Sequence, residues 1–566
     1  MSRVSALMPR LQMLSNGRYH VMITREGSGY SRWNGSAICR WREDATRDCL
    51  GQFFYLRDAS GGGPWSATVE PTGQQEDTVE STFVPGLASF LRRHVGSHLL
   101  VVGAGPAGLV AASAAAKLGA HVALIERHQL GGDCLNDGCI PSKSLIRNGR
   151  LLADIRNASN FGGVPPAETV FDFRAAMLRM RRITARISRT DSAMNLARDG
   201  IHLFFGTARF TGPDTVDVDG LALRFKKALI ATGSRSMLPD VPGLAEAGFL
   251  TNETVFDLQV MPRSLLVIGG GPLGCELAQV FARFGSRTLI SHCEPLFLPK
   301  EERDAAQMVS DALARDGVEI HLNSTATKVW MEGDQKVVEL VNDGNTATTR
   351  VDQILTGIGR VPAVQGLNLE AAGVAYDAAA GVHVDDFLRT SNRRIYAAGD
   401  VCLTHQFTNS AAASARIVVR NALFMGRQRM SKLTIPWCTC TDPEVAHVGL
   451  YVKEARQQRI PVKTFTIPMH DVDRAIADSE KDGFVKVHVR EGSDKILGAT
   501  IVARHAGEMI NSISLAMVAG IGLRELANVV QAYPTQGAAI RQAADACART
   551  RVTPLMMTLA RRWLRR

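Results

Sequence analysis

No run of apolar residues in this chain is long enough to cross a bilayer, and Met1-Ser-Arg-Val opens without the hydrophobic segment of a secretory leader. A cytoplasmic protein with no membrane span is expected. Aromatic residues are scarce at 6 %, which is the composition of an ordinary soluble protein read slightly low. Charge of one sign is also scarce: +10 is modest for 566 residues, and basic residues cluster only at 177–189 and in Arg561-Arg-Trp-Leu-Arg-Arg566. Without a basic stripe, no nucleic-acid partner is expected. The 10 cysteines lack repeated spacing, so they do not form a secreted disulfide scaffold. They suggest a reducing compartment with one catalytic pair.

That pair is Cys134 and Cys139, in Gly131-Gly-Asp-Cys-Leu-Asn-Asp-Gly-Cys-Ile-Pro-Ser-Lys143. Two cysteines with four residues between them, in a loop entering a helix, can close a small reversible disulfide. The second lies where helical N–H groups and the positive helix end stabilise a thiolate. Just upstream, strand-like Leu-Leu-Val-Val feeds Gly103-Ala-Gly105-Pro-Ala-Gly108, an Ala-rich helix, and Val-Ala-Leu-Ile-Glu126. This is a dinucleotide-binding pattern, with glycines for the tight turn and pyrophosphate approach and an acid for the ribose. A second copy follows: Ser264-Leu-Leu-Val-Ile, then Gly269-Gly-Gly271-Pro-Leu-Gly274, a helix from Cys275-Glu276, then Arg287-Thr-Leu-Ile-Ser-His292. Small-residue turns at Thr232-Gly233 and Thr356-Gly-Ile-Gly359, and the segment Ile395-Tyr-Ala-Ala-Gly-Asp400, can lie close to a cofactor. Two such units imply two nucleotides. Alternating strands, helices and glycine turns from His98 onward predict an α/β architecture with parallel sheets.

Residues 97–550 resemble the class I pyridine nucleotide–disulfide oxidoreductases, and among them the mercuric reductases. The resemblance implies two Rossmann-like domains, for FAD and NAD(P), and a C-terminal α+β dimerisation domain. The expected boundaries are 97–245 and 366–430 for the FAD domain, 246–365 for the NAD(P) domain, 431–550 for the interface domain and 551–566 for a basic tail. It implies FAD at Gly103, Gly105, Gly108, Glu126, Thr232, Gly233 and Asp400, the last on the ribityl chain. NAD(P)H falls to Gly269, Gly271, Gly274, His292 and Gly359. Cys139 becomes the thiolate against the flavin and Cys134 the sulfur that exchanges with substrate, with Lys143 paired to Glu276. A homodimer is implied, each interface domain completing its partner's site. Because His292 stands where an NAD-preferring site has an acid, NADPH is slightly favoured over NADH, with Lys300 or Arg303 as cations within possible reach.

Members that act on dithiols end in His-Ala-His-Pro-Thr-x-x-Glu, a base oriented by an acid. This chain reads Gln531-Ala-Tyr533-Pro-Thr-Gln-Gly-Ala538. A phenol of ordinary pKa ~10 is a poor base at neutral pH, so a dihydrolipoyl dehydrogenase activity is the second reading. Mercuric reductases carry Tyr at this place, and reduction of a soft ion needs thiolates rather than a base. The expected acceptor is therefore a metal ion or another non-dithiol. The sequence lacks their C-terminal vicinal cysteine pair and an N-terminal CxxC domain, and no resident metal site is assigned. Cys438 and Cys440 form a CxC that reads as buried interface thiols and could in principle relay a soft metal. Residues 1–95 differ in kind. Leu14-Ser-Asn-Gly-Arg-Tyr-His-Val-Met, Gly29-Tyr-Ser-Arg-Trp33 and Tyr55-Leu-Arg-Asp58, within residues 10–72, resemble part of the β-sandwich of cyclic β-glucan synthases and glycan phosphorylases. A fusion remnant or a mis-set start, followed by a linker over 70–96, is expected; a glycan-associated binding protein is the reading from another class.

Overall fold

The computed structural model describes residues 97–164, 171–551 and 554–564 together with eight strands between Leu11 and Arg93. The chain divides into two compact units, one built from residues 1–132, 190–233 and 362–430, the other from 133–189, 234–361 and 431–566.

In the first unit the parallel strands run Ile201–Phe205, Val122–Glu126, Ser97–Val102, Leu221–Ile230. The last of these has two lives. Its first four residues pair antiparallel with Thr215–Val218 and burial alternates over residues 222–226, while Ala228-Leu-Ile230 is wholly buried between Ser97–Val102 and Ile395–Ala397. A strand covered on both faces reads as a continuous apolar run, and one with a wet face alternates. The helix Pro106–Lys117 follows the central strand and packs along Thr408–Leu423. Ahead of this sheet lie a four-stranded antiparallel sheet, Leu11–Ser15 to Ser36–Ala37, and the hairpin Thr78–Val84 with Leu87–Arg93. The hairpin occupies much of the expected linker; Thr78-Val-Glu-Ser-Thr-Phe-Val84 is rich in β-branched residues that suit a pleated strand.

The second unit holds the parallel sheet Val318–His321, Arg287–Ser291, Ser264–Ile268, Gln353–Thr356, with helix Pro272–Phe284 against it. It also holds a five-stranded antiparallel sheet, Pro436–Thr439, Glu444–Gly449, Ile496–Ala503, Phe484–Arg490, Val462–Pro468, backed by helices Ala506–Ala519 and Ala538–Arg549. The 18-residue helix Cys139–Arg156 belongs here. Leu145, Ile146 and Leu152 share a core with Leu277, Val280 and Phe281 of helix Pro272–Phe284 and with Val445 and Val502 of the antiparallel sheet. Compactness thus groups residues 133–189 with the second glycine-loop region, whereas chain order alone puts them with the first. The stretch 177–189, basic in sequence, lies mostly on helix Phe173–Ser188, which buries Phe173, Ala176, Met177 and Met180 on one face. No helix among the described residues is long and apolar enough to cross a membrane.

Candidate active site

Helix Pro106–Lys117 starts at Gly105 with proline in its first turn and no capping side chain, which leaves first-turn N–H groups for an anion. Gly103 has φ +102°, and a side chain there would run into the carbonyl oxygen of Ala231. Gly108 backs onto Gly103 so closely that a methyl group would strike its carbonyl. Glu126, at the end of its strand, accepts the Ala104 N–H at 2.7 Å and the His128 N–H at 2.9 Å, so its carboxylate is held at the glycine loop. Thr232 donates to the Ala363 carbonyl at 2.7 Å, next to Gly233 at φ +71°. Asp400 lies in the turn Gly399–Val401, where Gly399 faces Ala107 of the first helix turn. These side chains and the uncapped helix start fit a dinucleotide with its pyrophosphate on the helix.

The second unit repeats the construction. Helix Pro272–Phe284 starts at an uncapped Gly271, Gly269 has φ +110°, and Gly274 presses on the Gly269 carbonyl. A side chain on Gly269 would come within 2.5 Å of the Gly357 oxygen, which brings the turn containing Gly359 against this loop. His292 is buried, its Nδ1 accepting the Gly270 N–H at 3.3 Å and its Nε2 facing the Leu296 carbonyl at 3.1 Å. With Nδ1 accepting, Nε2 carries the hydrogen, and both nitrogens are committed to the protein. His292 therefore props the glycine loop. Arg303 donates to the Phe297 and Leu298 carbonyls at 2.8 Å each, which ties down one of the two cations considered for a 2′-phosphate.

Gly131 and Gly132, which lead to the first cysteine, pack on the first glycine loop: the Gly131 N–H reaches the Ala104 carbonyl at 2.9 Å. Gly132, at φ +59°, leaves no room for a side chain against Gly105. Cys134 lies in the short helix Gly132–Asn136, and Cys139 is the first residue of helix Cys139–Arg156. Both are partly exposed thiols. No side chain caps that helix, so its positive end falls on Cys139. One turn on, Lys143 Nζ donates to both carboxylate oxygens of Glu276, at 3.0 and 2.8 Å. Glu276 is 3 % exposed and also accepts the Cys440 N–H at 2.7 Å. Burial alone would push the Lys143 ammonium down; the Glu276 carboxylate outweighs it, and the net shift is upward. Lys143 stays a cation.

Sequence reasoning missed the acids around the first cysteine, although Asp-Cys-Leu-Asn-Asp-Gly-Cys spells them out. Asp133 pairs with Arg360 at 2.5 Å and accepts from Asn252 at 2.8 Å. Asp137, between the two cysteines, is pushed up to about 7 by burial and by the charges of Asp133, Glu253 and Asp257, against Arg360. Tyr533 lies elsewhere, 76 % exposed, its hydroxyl donating to Asp473 at 3.0 Å. That bond pushes the phenol's pKa further up.

The model of the family "pyridine nucleotide-disulphide oxidoreductase" matches residues 97–416, and that of its dimerisation domain matches 435–544. The chain belongs to this family. A mercuric reductase of Bacillus cereus is 34 % identical over 78 % of this chain and 70 % of its own length. A dihydrolipoyl dehydrogenase of Mycoplasma pneumoniae is 32 % identical over 79 % and 97 %. Among solved structures, the HOCl-induced flavoprotein disulfide reductase RclA of Escherichia coli superimposes with a TM-score of 0.71 at 29 % identity, covering 79 % of this chain and 98 % of that one. Like its relatives, the protein is an FAD-dependent oxidoreductase that uses NAD(P)H and a redox-active cysteine pair. At the other end, the supersandwich domain of glycosyl hydrolase 94 matches residues 2–101, a longer stretch than the motifs of 10–72 suggested.

Proposed function

We propose that this flavoenzyme passes electrons from NAD(P)H through Cys139 and Cys134 to a soft metal ion, Hg(II) being the first to try. The observation that carries this reading is Tyr533: the position that supplies a base in dithiol-oxidising members holds a phenol already donating to Asp473. When bound, FAD supplies two-electron transfer between the nicotinamide and the sulfur pair. The helix end and the Lys143 cation hold Cys139 as a thiolate, the form in which sulfur accepts, donates or binds a soft ion. Glu276 keeps Lys143 charged and aimed. Cys134, five residues before the helix start, exchanges with the acceptor. Glu126, Asp400 and the Gly103–Gly108 loop take the flavin nucleotide, and the Gly269–Gly274 loop takes the nicotinamide dinucleotide. With His292 in place of a carboxylate, a 2′-phosphate meets no repulsion there, the slight lean toward NADPH. The dimerisation domain supports a homodimer, and a cytoplasmic setting suits a cysteine pair that cycles through the thiol form.

Asp137 favours a second reading. A carboxyl that titrates near neutrality between the two cysteines could accept a thiol proton, and that would restore dihydrolipoyl-type chemistry without His and Glu. A steady-state screen of Hg(II), lipoamide, glutathione disulfide and quinones with each nicotinamide separates the two. The first reading requires Hg(II)-dependent oxidation of NAD(P)H that disappears in Cys134→Ser; brisk lipoamide turnover in place of it would establish the second.

A further inference from the structure

Two basic clusters stand out in the sequence, and the fold treats them differently. Residues 177–189 lie mostly on helix Phe173–Ser188, whose apolar side is buried. Arg561 and Arg562 lie on helix Pro554–Leu564, where every side chain described is exposed. Trp563 is 77 % exposed and Leu564 82 %, values that leave large apolar groups in water. By contrast, the preceding helix, Ala538–Arg549, buries Ala539, Ile540, Ala543, Ala544 and Cys547 in the core behind the antiparallel sheet.

The exposed helix is two-sided. Met556, Leu559, Ala560 and Trp563 follow the spacing that lines one side of an α-helix, with Met557 and Leu564 at its edge. Thr558, Arg561 and Arg562 share the opposite side. Charge around it is of one sign, since residues 546–566 hold six arginines and no acid. A second copy of the chain would bring the same arginines and another +10 of like charge. A nucleic acid would match the arginines but leave Leu559 and Trp563 in water. An anionic bilayer matches both sides. We propose that helix Pro554–Leu564 lies in the plane of an anionic lipid surface, with Leu559 and Trp563 among the acyl chains and Arg561 and Arg562 at the phosphates. Indole rings settle at such a boundary, and arginine stems lie along it with their charged ends in water. At 11 residues the helix is too short to span the hydrocarbon, so it holds the enzyme at a membrane without crossing it.

Docking of this helix does not depend on the acceptor that Cys134 and Cys139 serve. The FAD-loaded full chain is floated with vesicles of phosphatidylglycerol and phosphatidylcholine in equal parts, and with vesicles of phosphatidylcholine alone. Several-fold more protein should rise with the anionic vesicles, and high salt should reduce that fraction. Two variants divide the helix by side: Leu559→Gln with Trp563→Gln, and Arg561→Gln with Arg562→Gln. Each should lose most of the flotation, while glutamine preserves helix propensity. Retained flavin and unchanged NAD(P)H oxidation in solution show that the fold survives. If the unmodified chain does not float, or floats equally with neutral vesicles, the proposal is wrong. It is equally wrong if the apolar variant floats undiminished, which would leave the arginines acting alone as they would on a nucleic acid. A lipid-free sedimentation coefficient that falls in the apolar variant would assign the helix to a second copy and overturn the lipid assignment.

Discussion

Asp137 shows how a single side chain can set a pH dependence. Its carboxyl is pushed from the usual value of 3.8 up to about 7, by burial first and then by Asp133, Glu253 and Asp257. The unfolded chain ionises near the ordinary value, so the folded state holds the proton longer. Stability from this group is complete below the ordinary pKa and is lost as pH rises toward about 7. Asp137→Asn removes that penalty. The variant should gain on wild type at pH 8 by about 2 kcal/mol at most, given the screening of a half-exposed group, and by less at pH 5. Urea melts at the two pH values check it, and an equal difference at both would contradict it. Cys139 supports a second prediction at this scale. Cys139→Ser should keep its flavin yet lose the long-wavelength charge-transfer absorption of the two-electron-reduced enzyme, which requires a thiolate donor. A band that survives the change would take Cys139 out of that role. The paired cysteines were readable because spacing and wording are local. The pKa of Asp137 was not, because Glu253 and Asp257 lie more than a hundred residues away and only the fold brings their charge to bear.

At the scale of elements, helix Cys139–Arg156 is fixed by charge as well as by packing. Lys143 holds Glu276 of helix Pro272–Phe284, and Arg150 reaches Glu444 at 3.0 Å. Asp154 takes Arg504 at 2.9 Å. Arg283 is buried between Asp316 and Asp442, each at 2.9 Å. Removing one member of such a pair costs more than replacing both, because the survivor is left buried and charged. Glu276→Leu alone should therefore destabilise the protein by about 3 kcal/mol, toward the lower end because Lys143 is partly exposed. Glu276→Leu with Lys143→Met should recover much of this, and a double-mutant cycle without coupling would refute the pairing as a structural tie. The proposed assignment gives each glycine loop its own cofactor. Gly108→Ala should yield colourless protein, whereas Gly274→Ala should stay yellow and lose affinity for the nicotinamide. Flavin content and KM measure the two effects independently. The strand–glycine–helix units were readable from periodicity and glycine spacing. The carriage of His292 was not, since an acid's position in sequence does not reveal that the replacing imidazole turns inward onto Gly270 and Leu296.

Over the whole molecule, the resemblance seen in the sequence from residue 97 onward agrees with the family matches, and the sandwich-like opening agrees with the glycosyl hydrolase 94 match. The sequence did not disclose that residues 133–189 pack with the second glycine-loop region. Their apolar face is amphipathic and periodic, and only tertiary contact with Val280 and Phe281 says which neighbour it meets. The opening segment plays no part in the chemistry proposed, so a chain starting at His98 should bind FAD and oxidise NAD(P)H as the full chain does. The central claim concerns the acceptor, and one comparison tests it most directly. NAD(P)H oxidation by the unmodified enzyme is followed with Hg(II) and, separately, with lipoamide, each against Cys134→Ser. The account predicts turnover that depends on Hg(II) and on Cys134, with lipoamide reduced far more slowly. Rapid lipoamide turnover with no response to Hg(II) would contradict it.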